Sequence, residues 1–198
     1  MDRPLQVGIT GGIGAGKSLV SQIFRCLGAL VYDADSRAKN LMTTDTVLIE
    51  QIKEEFGHLA YNPIGELDRV YLSQATFGHP KRLEKLNNLV HPRVAVDYQA
   101  WWMAHQSSKY LLREAALLYE AGSYKSVDKM IVVTAPESVR INRIVTRDPH
   151  RSQNDINAIM KSQWPEAEKL RRADHVIYND DQHMVIPQVL RLHSEFIS

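Results

Sequence analysis

Gly11, Gly16, Lys17 and Ser18 stand at the spacing GxxxxGKS within the stretch ITGGIGAGKS. Each of these residue types has a reason to be there if the chain must wrap a polyphosphate. Glycine lets the main chain approach an anion through conformations that a side chain would obstruct, and Gly12 and Gly14 make the loop more permissive still. Backbone N–H groups and the positive end of the next helix then face the phosphates. Lys17 would pair with the outer phosphates of a nucleotide, and the Ser18 hydroxyl would ligate Mg²⁺. The motif points to nucleotide phosphate binding and leaves the acceptor unnamed.

Other residues could complete a phosphoryl-transfer site. Asp33 and Asp35 follow a short apolar segment, where the carboxyl ends of strands in an open α/β sheet line a ligand crevice. In extended chain, residues two apart point the same way, so one carboxylate could orient the acceptor hydroxyl while the other holds a Mg²⁺ water. A turn with a helix cap is the alternative reading of that pair. Arg140, Arg143, Arg147 and Arg151 recur every three or four residues, which would line their charge along one side of a helix until Pro149 interrupts it. Such a basic helix suits a lid over a transferring phosphoryl group, with Arg147 the leading candidate, and it also suits an ordinary solvated face. Glu114 lies inside the apolar run LLREAALLYE and is either a metal-side acid or a residue on an exposed strand edge. His91, before Pro92, is either a substrate contact or a structural histidine at a helix start. Trp101 and Trp102 read as core or interface residues.

The elements that would position these groups follow from periodicity. Leu5, Val7 and Ile9 alternate with Gln6, Gly8 and Thr10 as in a strand. Val20, Ile23, Phe24 and Leu27 then repeat at helical spacing, with Gly28 as a C-terminal cap. Leu30 to Tyr32 reads as a second strand. From Ser36 to Gln106 the signals are mostly helical, with breaks at Gly57, Asn62 to Gly65, Gly78 to Pro80 and His91-Pro92. Tyr110 to Leu118 and Lys129 to Ala135 read as buried strands, and His175 to Asn179 as a last one. A parallel sheet follows, with an Arg-rich helical region between the last two strands.

Bulk properties narrow the function class. The 198 residues suit one domain with elaborations, and 44% hydrophobic with 24% charged residues is a globular balance. With 24 Lys+Arg against 23 Asp+Glu the net charge is +1, so no overall field favours nucleic acid. The single cysteine, Cys26, excludes an internal disulfide and is expected to pack inside. No secretion signal and no apolar run approaching about 20 residues is visible, which predicts a cytoplasmic protein without a membrane partner. No obligate protein partner is evident. The GTPase sequences DxxG and NKxD are missing. ATP-dependent kinases and mechanical ATPases remain, and the small size favours a kinase.

Taken in order, VGITGGIGAGKS with its helix ending in LG, YDADSRAK, GELDR, LEKLNNLVHPRV, EAALLYEAG and the TRD around Arg147 resemble the dephospho-coenzyme A kinase family over essentially the whole chain. The resemblance implies an α/β fold: a three-layer phosphate-loop core with a parallel sheet, a helical acceptor-binding insertion and an Arg-rich helical lid. It implies one domain over 1–198, with core segments 1–35, 108–140 and 174–198, the insertion at 36–107 and the lid at 141–173. The implied reaction moves a phosphoryl group from ATP, with Mg²⁺, to the ribose 3′-hydroxyl of dephospho-CoA. Carried over by residue, Gly12, Ile13, Gly14, Ala15, Gly16, Lys17 and Ser18 surround the ATP phosphates; Leu19 and Arg143 are read beside them as further nucleotide contacts. The resemblance makes Asp35 and Arg147 catalytic groups beside Lys17 of the motif, and Ser18 and Asp33 are expected on the metal side. Asp33, Asp35, Arg69, His91 and Glu114 are assigned to the acceptor, Arg69 and His91 by position alone. Where many members have a proline in a PLLFE-like segment, this chain has Ala116, a departure that bears on the local backbone. A nucleoside monophosphate or nucleoside kinase is the nearest rival, and a nonenzymatic ATP-binding switch is a rival of another class.

Overall fold

Alternation of apolar residues produces the first strand, β1 (Leu5–Thr10), whose Val7 and Ile9 are fully buried. The computed structural model describes residues 3–76 and 78–198. After β1 come α1 (Lys17–Cys26), β2 (Leu30–Asp33), α2 (Ala34–Thr44), α3 (Thr46–Phe56), α4 (Arg69–Thr76) and α5 (Pro80–Ala104). Then follow β3 (Tyr110–Glu114), β4 (Lys129–Thr134), α6 (Glu137–Arg147), α7 (Gln153–Ser162), α8 (Glu166–Arg171), β5 (His175–Tyr178) and α9 (Val185–Ile197). The chain divides into two compact units, one of residues 1–33 with 105–198 and one of residues 34–104.

The first unit holds the five-stranded sheet, in the order β2-β3-β1-β4-β5 with every pairing parallel. Parallel strands need crossovers, and the crossover helix α1 covers one face of the sheet together with the C-terminal helix α9. Phe24 and Val20 of α1 and Val189, Leu192 and Phe196 of α9 pack with Val7, Ile9, Leu112, Ile131, Val133 and Ile177 from the strands. Burial of each large side chain there contributes roughly 1.5–3 kcal/mol. Gly28, at φ 86°, ends α1, and its N–H donates to the Arg25 carbonyl. Tyr110 crosses this layer, its hydroxyl 2.6 Å from His193 Nδ1, and burial pushes the phenol well above its ordinary value.

Two expectations change here. The strand expected over Tyr110 to Leu118 ends at Glu114, where the Ala115 N–H makes its bond to the Ile9 carbonyl and the chain turns. Leu118 and Tyr119 are buried from that turn, so an apolar run alone did not distinguish strand from buried turn. Cys26 is exposed rather than packed, because α1 turns Val20 and Phe24 to the core and leaves Cys26 on its outer side.

The second unit is helical. Leu48, Ile52 and Phe56 form the buried stripe of α3, and Asp45 caps that helix by accepting the Leu48 N–H at 3.0 Å. Asp45 also accepts from Arg93 Nε of α5 at 2.7 Å. The expected break at His91-Pro92 does not occur, since α5 runs through Pro92. Val90, Val94 and Tyr98 bury one continuous stripe on both sides of the proline, and that packing outweighs its cost of about 3 kcal/mol. Trp101 stacks on Tyr98 with ring centroids 6.0 Å apart.

Candidate active site

The glycine-rich loop joins β1 to α1 at the carboxyl edge of the sheet. Gly16, the N-cap of α1, has φ 95°, and a Cβ there would lie 2.1 Å from Asn179 Nδ2. That amide holds the loop by donating to the Ala15 carbonyl at 2.8 Å. A Cβ on Gly12 would lie 2.1 Å from Arg140 Nη1, so the guanidinium packs directly on the loop. Lys17 Nζ folds back and donates to the Gly11 carbonyl at 3.2 Å. The first turn of α1 carries no acidic residue, which leaves its N-terminal field positive toward an anion.

Beside the loop, the Ser18 hydroxyl donates to Glu114 Oε1 at 3.2 Å. Glu114 is 6% exposed at the end of β3, an interior strand. Of the two readings of this residue, the exposed strand edge is therefore ruled out. Asp33 closes β2 and is the register partner of Glu114. A hydroxyl and two carboxylates are hard oxygen donors of the kind Mg²⁺ takes, and Mg²⁺ keeps most of its waters beside nucleotide phosphates. The donor set therefore fits the ion, with Ser18, Glu114 and Asp33 as the residues that would hold it or its waters. Among the described residues no cluster of three or more His, Cys, Asp or Glu forms a closed metal cage.

The arginines do not form the single stripe that their spacing predicts. Arg140, 6% exposed, turns inward, donating from Nε to the Ala135 carbonyl at 3.1 Å and from Nη2 to Glu166 at 2.9 Å. Arg143 donates to the Asn179 carbonyl at 2.9 Å and to Asp181 at 2.6 Å, beside a pocket of about 290 Å³ lined also by Ser138, Val139 and Asn142. Arg147 is exposed at the end of α6 and paired with Asp148, whose carboxyl is held below the usual range first by Arg147 hydrogen bonds. Arg151 lies beyond the helix, 3.4 Å from Asp148. Helical spacing set the angles around α6, but Arg140 met the buried side and Arg143 the β5 loop. A second pocket of about 460 Å³ lies between Gly12, Arg140 and the α7–α8 connection.

A family model described as dephospho-CoA kinase matches residues 5–184. The chain belongs to the dephospho-CoA kinase family. A protein named dephospho-CoA kinase from Salinibacter ruber is 40% identical over 176 residues, covering 88% of this chain and 88% of that one. Another of that name from Bacteroides fragilis is 34% identical over 188 residues, covering 95% and 91%. A crystal structure of a Thermus thermophilus protein superposes with a TM-score of 0.86 at 29% identity, covering both chains fully. The dephospho-CoA kinase from Campylobacter jejuni shares the fold, with a TM-score of 0.71 at 24% identity over 96% of each chain.

Within this dephospho-CoA kinase family fold, the first unit brings together Gly12, Ile13, Gly14, Ala15, Gly16, Lys17 and Ser18 with Asp33 and Glu114. Leu19, in the first turn of α1, is 51% exposed. The other expected acceptor residues belong to the helical unit: Asp35 exposed in the first turn of α2, Arg69 exposed at the start of α4, and His91 exposed in mid-α5. Because α2 begins at Ala34, the period-two alternation that would aim Asp33 and Asp35 alike stops between them. His91 is likewise not at a helix start.

Sequence reasoning missed several residues around the loop. Asn179, just past β5, carries the Ala15 bond, and its place at a strand's carboxyl end was a usable signal. Glu166 joins Arg140 to the Thr134 hydroxyl. Lys169, 1% exposed, lies 2.9 Å from Glu120, which also accepts the Trp164 N–H at 2.6 Å. Gln163 reaches the Ile13 N–H at 2.9 Å. For these, polar residues in a helical stretch carry no local mark of burial. Ala116 lends its carbonyl to Thr10 Oγ1 at 3.4 Å and Gln163 Nε2 at 3.2 Å.

Proposed function

We propose that this chain catalyses transfer of the γ-phosphoryl group of ATP to the ribose 3′-hydroxyl of dephospho-CoA, giving CoA and ADP, the last step of CoA biosynthesis. The observation that carries this reading is the family match over residues 5–184, which includes the loop from Gly11 to Ser18.

In this reading Lys17 leaves the Gly11 carbonyl for the outer phosphates, and Arg147 leaves Asp148 to neutralise charge on the transferring group. Asp35 orients the 3′-hydroxyl and accepts its proton as the oxygen attacks phosphorus, so no covalent phosphoenzyme is needed. Mg²⁺ would be held by Ser18, with Asp33 and Glu114 on its waters, and would supply positive charge against the transferring phosphoryl group. Arg143, with its pocket, takes part of the nucleotide. Residues 36–107 bind the acceptor, with Arg69 and His91 among the contacts, and residues 141–173 form the lid. Among the described residues no helix is long and apolar enough to cross a membrane, and we place the reaction in the cytoplasm.

The test is an acceptor panel with ATP: dephospho-CoA, AMP, CMP, adenosine and pantothenate. Dephospho-CoA should have the highest kcat/KM by a wide margin, because its diphosphate and pantetheine arm offer binding energy remote from the reacting hydroxyl. Product analysis should show a new 3′-phosphate on CoA. If AMP or CMP wins and yields a nucleoside diphosphate, a monophosphate kinase replaces this reading.

A further inference from the structure

Gln163 ends α7 and its side chain spans two segments far from it in sequence. Its Oε1 accepts the Ile13 N–H at 2.9 Å, in the middle of the phosphate loop, and its Nε2 donates to the Ala116 carbonyl at 3.2 Å. The two partners fix the amide orientation, since a backbone N–H demands the oxygen and a carbonyl demands the NH₂. The loop is thereby tied at Ile13 through Gln163, at Ala15 through Asn179, and at Gly12 by contact with Arg140. We propose that Gln163 is a positioning residue for phosphoryl transfer, holding the Ile13 corner of the loop in its phosphate-binding shape before nucleotide arrives.

The main chain that carries Gln163 is held without its carboxamide. The Trp164 N–H donates to Glu120, Glu166 binds Arg140 and Thr134, and Lys169 pairs with Glu120 in the same short segment. Loss of the side-chain amide therefore leaves this segment in place and frees the loop. An Ile13 N–H without its acceptor must seek another partner, and the loop rearranges away from the shape that cradles phosphate. Preorganisation of this kind is read in nucleotide affinity and turnover rather than in global stability. The inference rests on the proposed use of the loop for ATP, but ADP binding tests it whatever the acceptor proves to be.

Two substitutions separate positioning from mere packing. Gln163→Met keeps length and bulk while removing both bonds, and it should weaken ADP binding about 10-fold by calorimetry, a scale set by an unsatisfied N–H. It should raise the KM for ATP, leave that for dephospho-CoA within about twofold, and shift Tm little. Gln163→Glu supplies the companion measurement, because a protonated carboxyl has the same C=O acceptor and one donor as the amide, whereas the carboxylate repels the Ala116 carbonyl. Its ADP affinity relative to the unsubstituted protein should recover as pH falls from about 7 to about 4, through the ordinary glutamate range at about 4.3. Unchanged ADP affinity in Gln163→Met, or a flat relative profile in Gln163→Glu, overturns the proposal. So does a fall in ATP and dephospho-CoA parameters together with Tm, which would make Gln163 a structural tie only.

Discussion

The Ser18 hydroxyl and the Glu114 carboxylate, 96 residues apart in the chain, meet at 3.2 Å at the carboxyl edge of the sheet. The contact gives the buried Glu114 carboxylate a partner at the end of its strand. Burial of Glu114 is compensated by a hydroxyl donor, and Asp33 follows it in register on the next strand. Glu114→Gln should keep the fold and raise the Mg²⁺ concentration for half-maximal activity, with turnover lower by about 10-fold or more, the scale found for groups that orient metal ligands. A Mg²⁺ titration of the variant beside the unsubstituted protein checks this. An unaltered Mg²⁺ requirement would take Glu114 off the metal side.

If Asp35 orients the acceptor hydroxyl as proposed, Asp35→Asn should lower turnover far more than it weakens ATP binding, because the phosphate loop is left alone. Loss of a general base costs about 10²- to 10⁴-fold, though orientation carries much of that in a loose phosphoryl transfer. Asp33→Asn, by contrast, should act through Mg²⁺ dependence. Parallel kcat and Mg²⁺ measurements on the two variants rank them. A larger turnover loss for Asp33→Asn at saturating Mg²⁺ would reverse the assignment.

Asp45 links α3 to α5 through the Leu48 N–H and Arg93, and acid should weaken that link. Burial alone would raise the Asp45 carboxyl, but hydrogen bonds from Leu48 and Arg93 outweigh it and hold the group below its ordinary 3.8. A depressed folded value means that the carboxylate's contribution is fully present above the unfolded value and disappears as pH falls through the folded one. Asp45→Ala should therefore cost about 1 kcal/mol or more of stability at about pH 7, the scale of a lost N-cap. Denaturation of both proteins from about pH 7 to about pH 3 should show a constant gap down to about pH 5 that narrows below about pH 4. A gap independent of pH would mean that the side chain acts by packing rather than by charge.

Much of the fold was legible because its signals are local. Leu5, Val7 and Ile9 alternate, Val20, Phe24 and Leu27 recur at helical spacing, and the GxxxxGKS spacing dictates a loop between them. The signals failed where long-range packing overrode them. Pro92 stayed inside α5 because a buried stripe continued across it. The apolar residues after Glu114 did not lengthen β3, since Leu118 finds its burial from a turn.

The amino-acid sequence by itself determined the phosphate loop, the parallel α/β class and the family, because each is written in spacings of a few residues or in the order of short motifs. Only the tertiary structure decided which distant groups those motifs meet. Strand order put Glu114 beside Ser18, the α7–α8 connection put Gln163 on Ile13, and the rotation of α6 sent Arg140 inward while Arg147 stayed exposed. Such contacts depend on which elements become neighbours, and that is settled by burial of the whole apolar surface rather than by the residues next to each group in the chain.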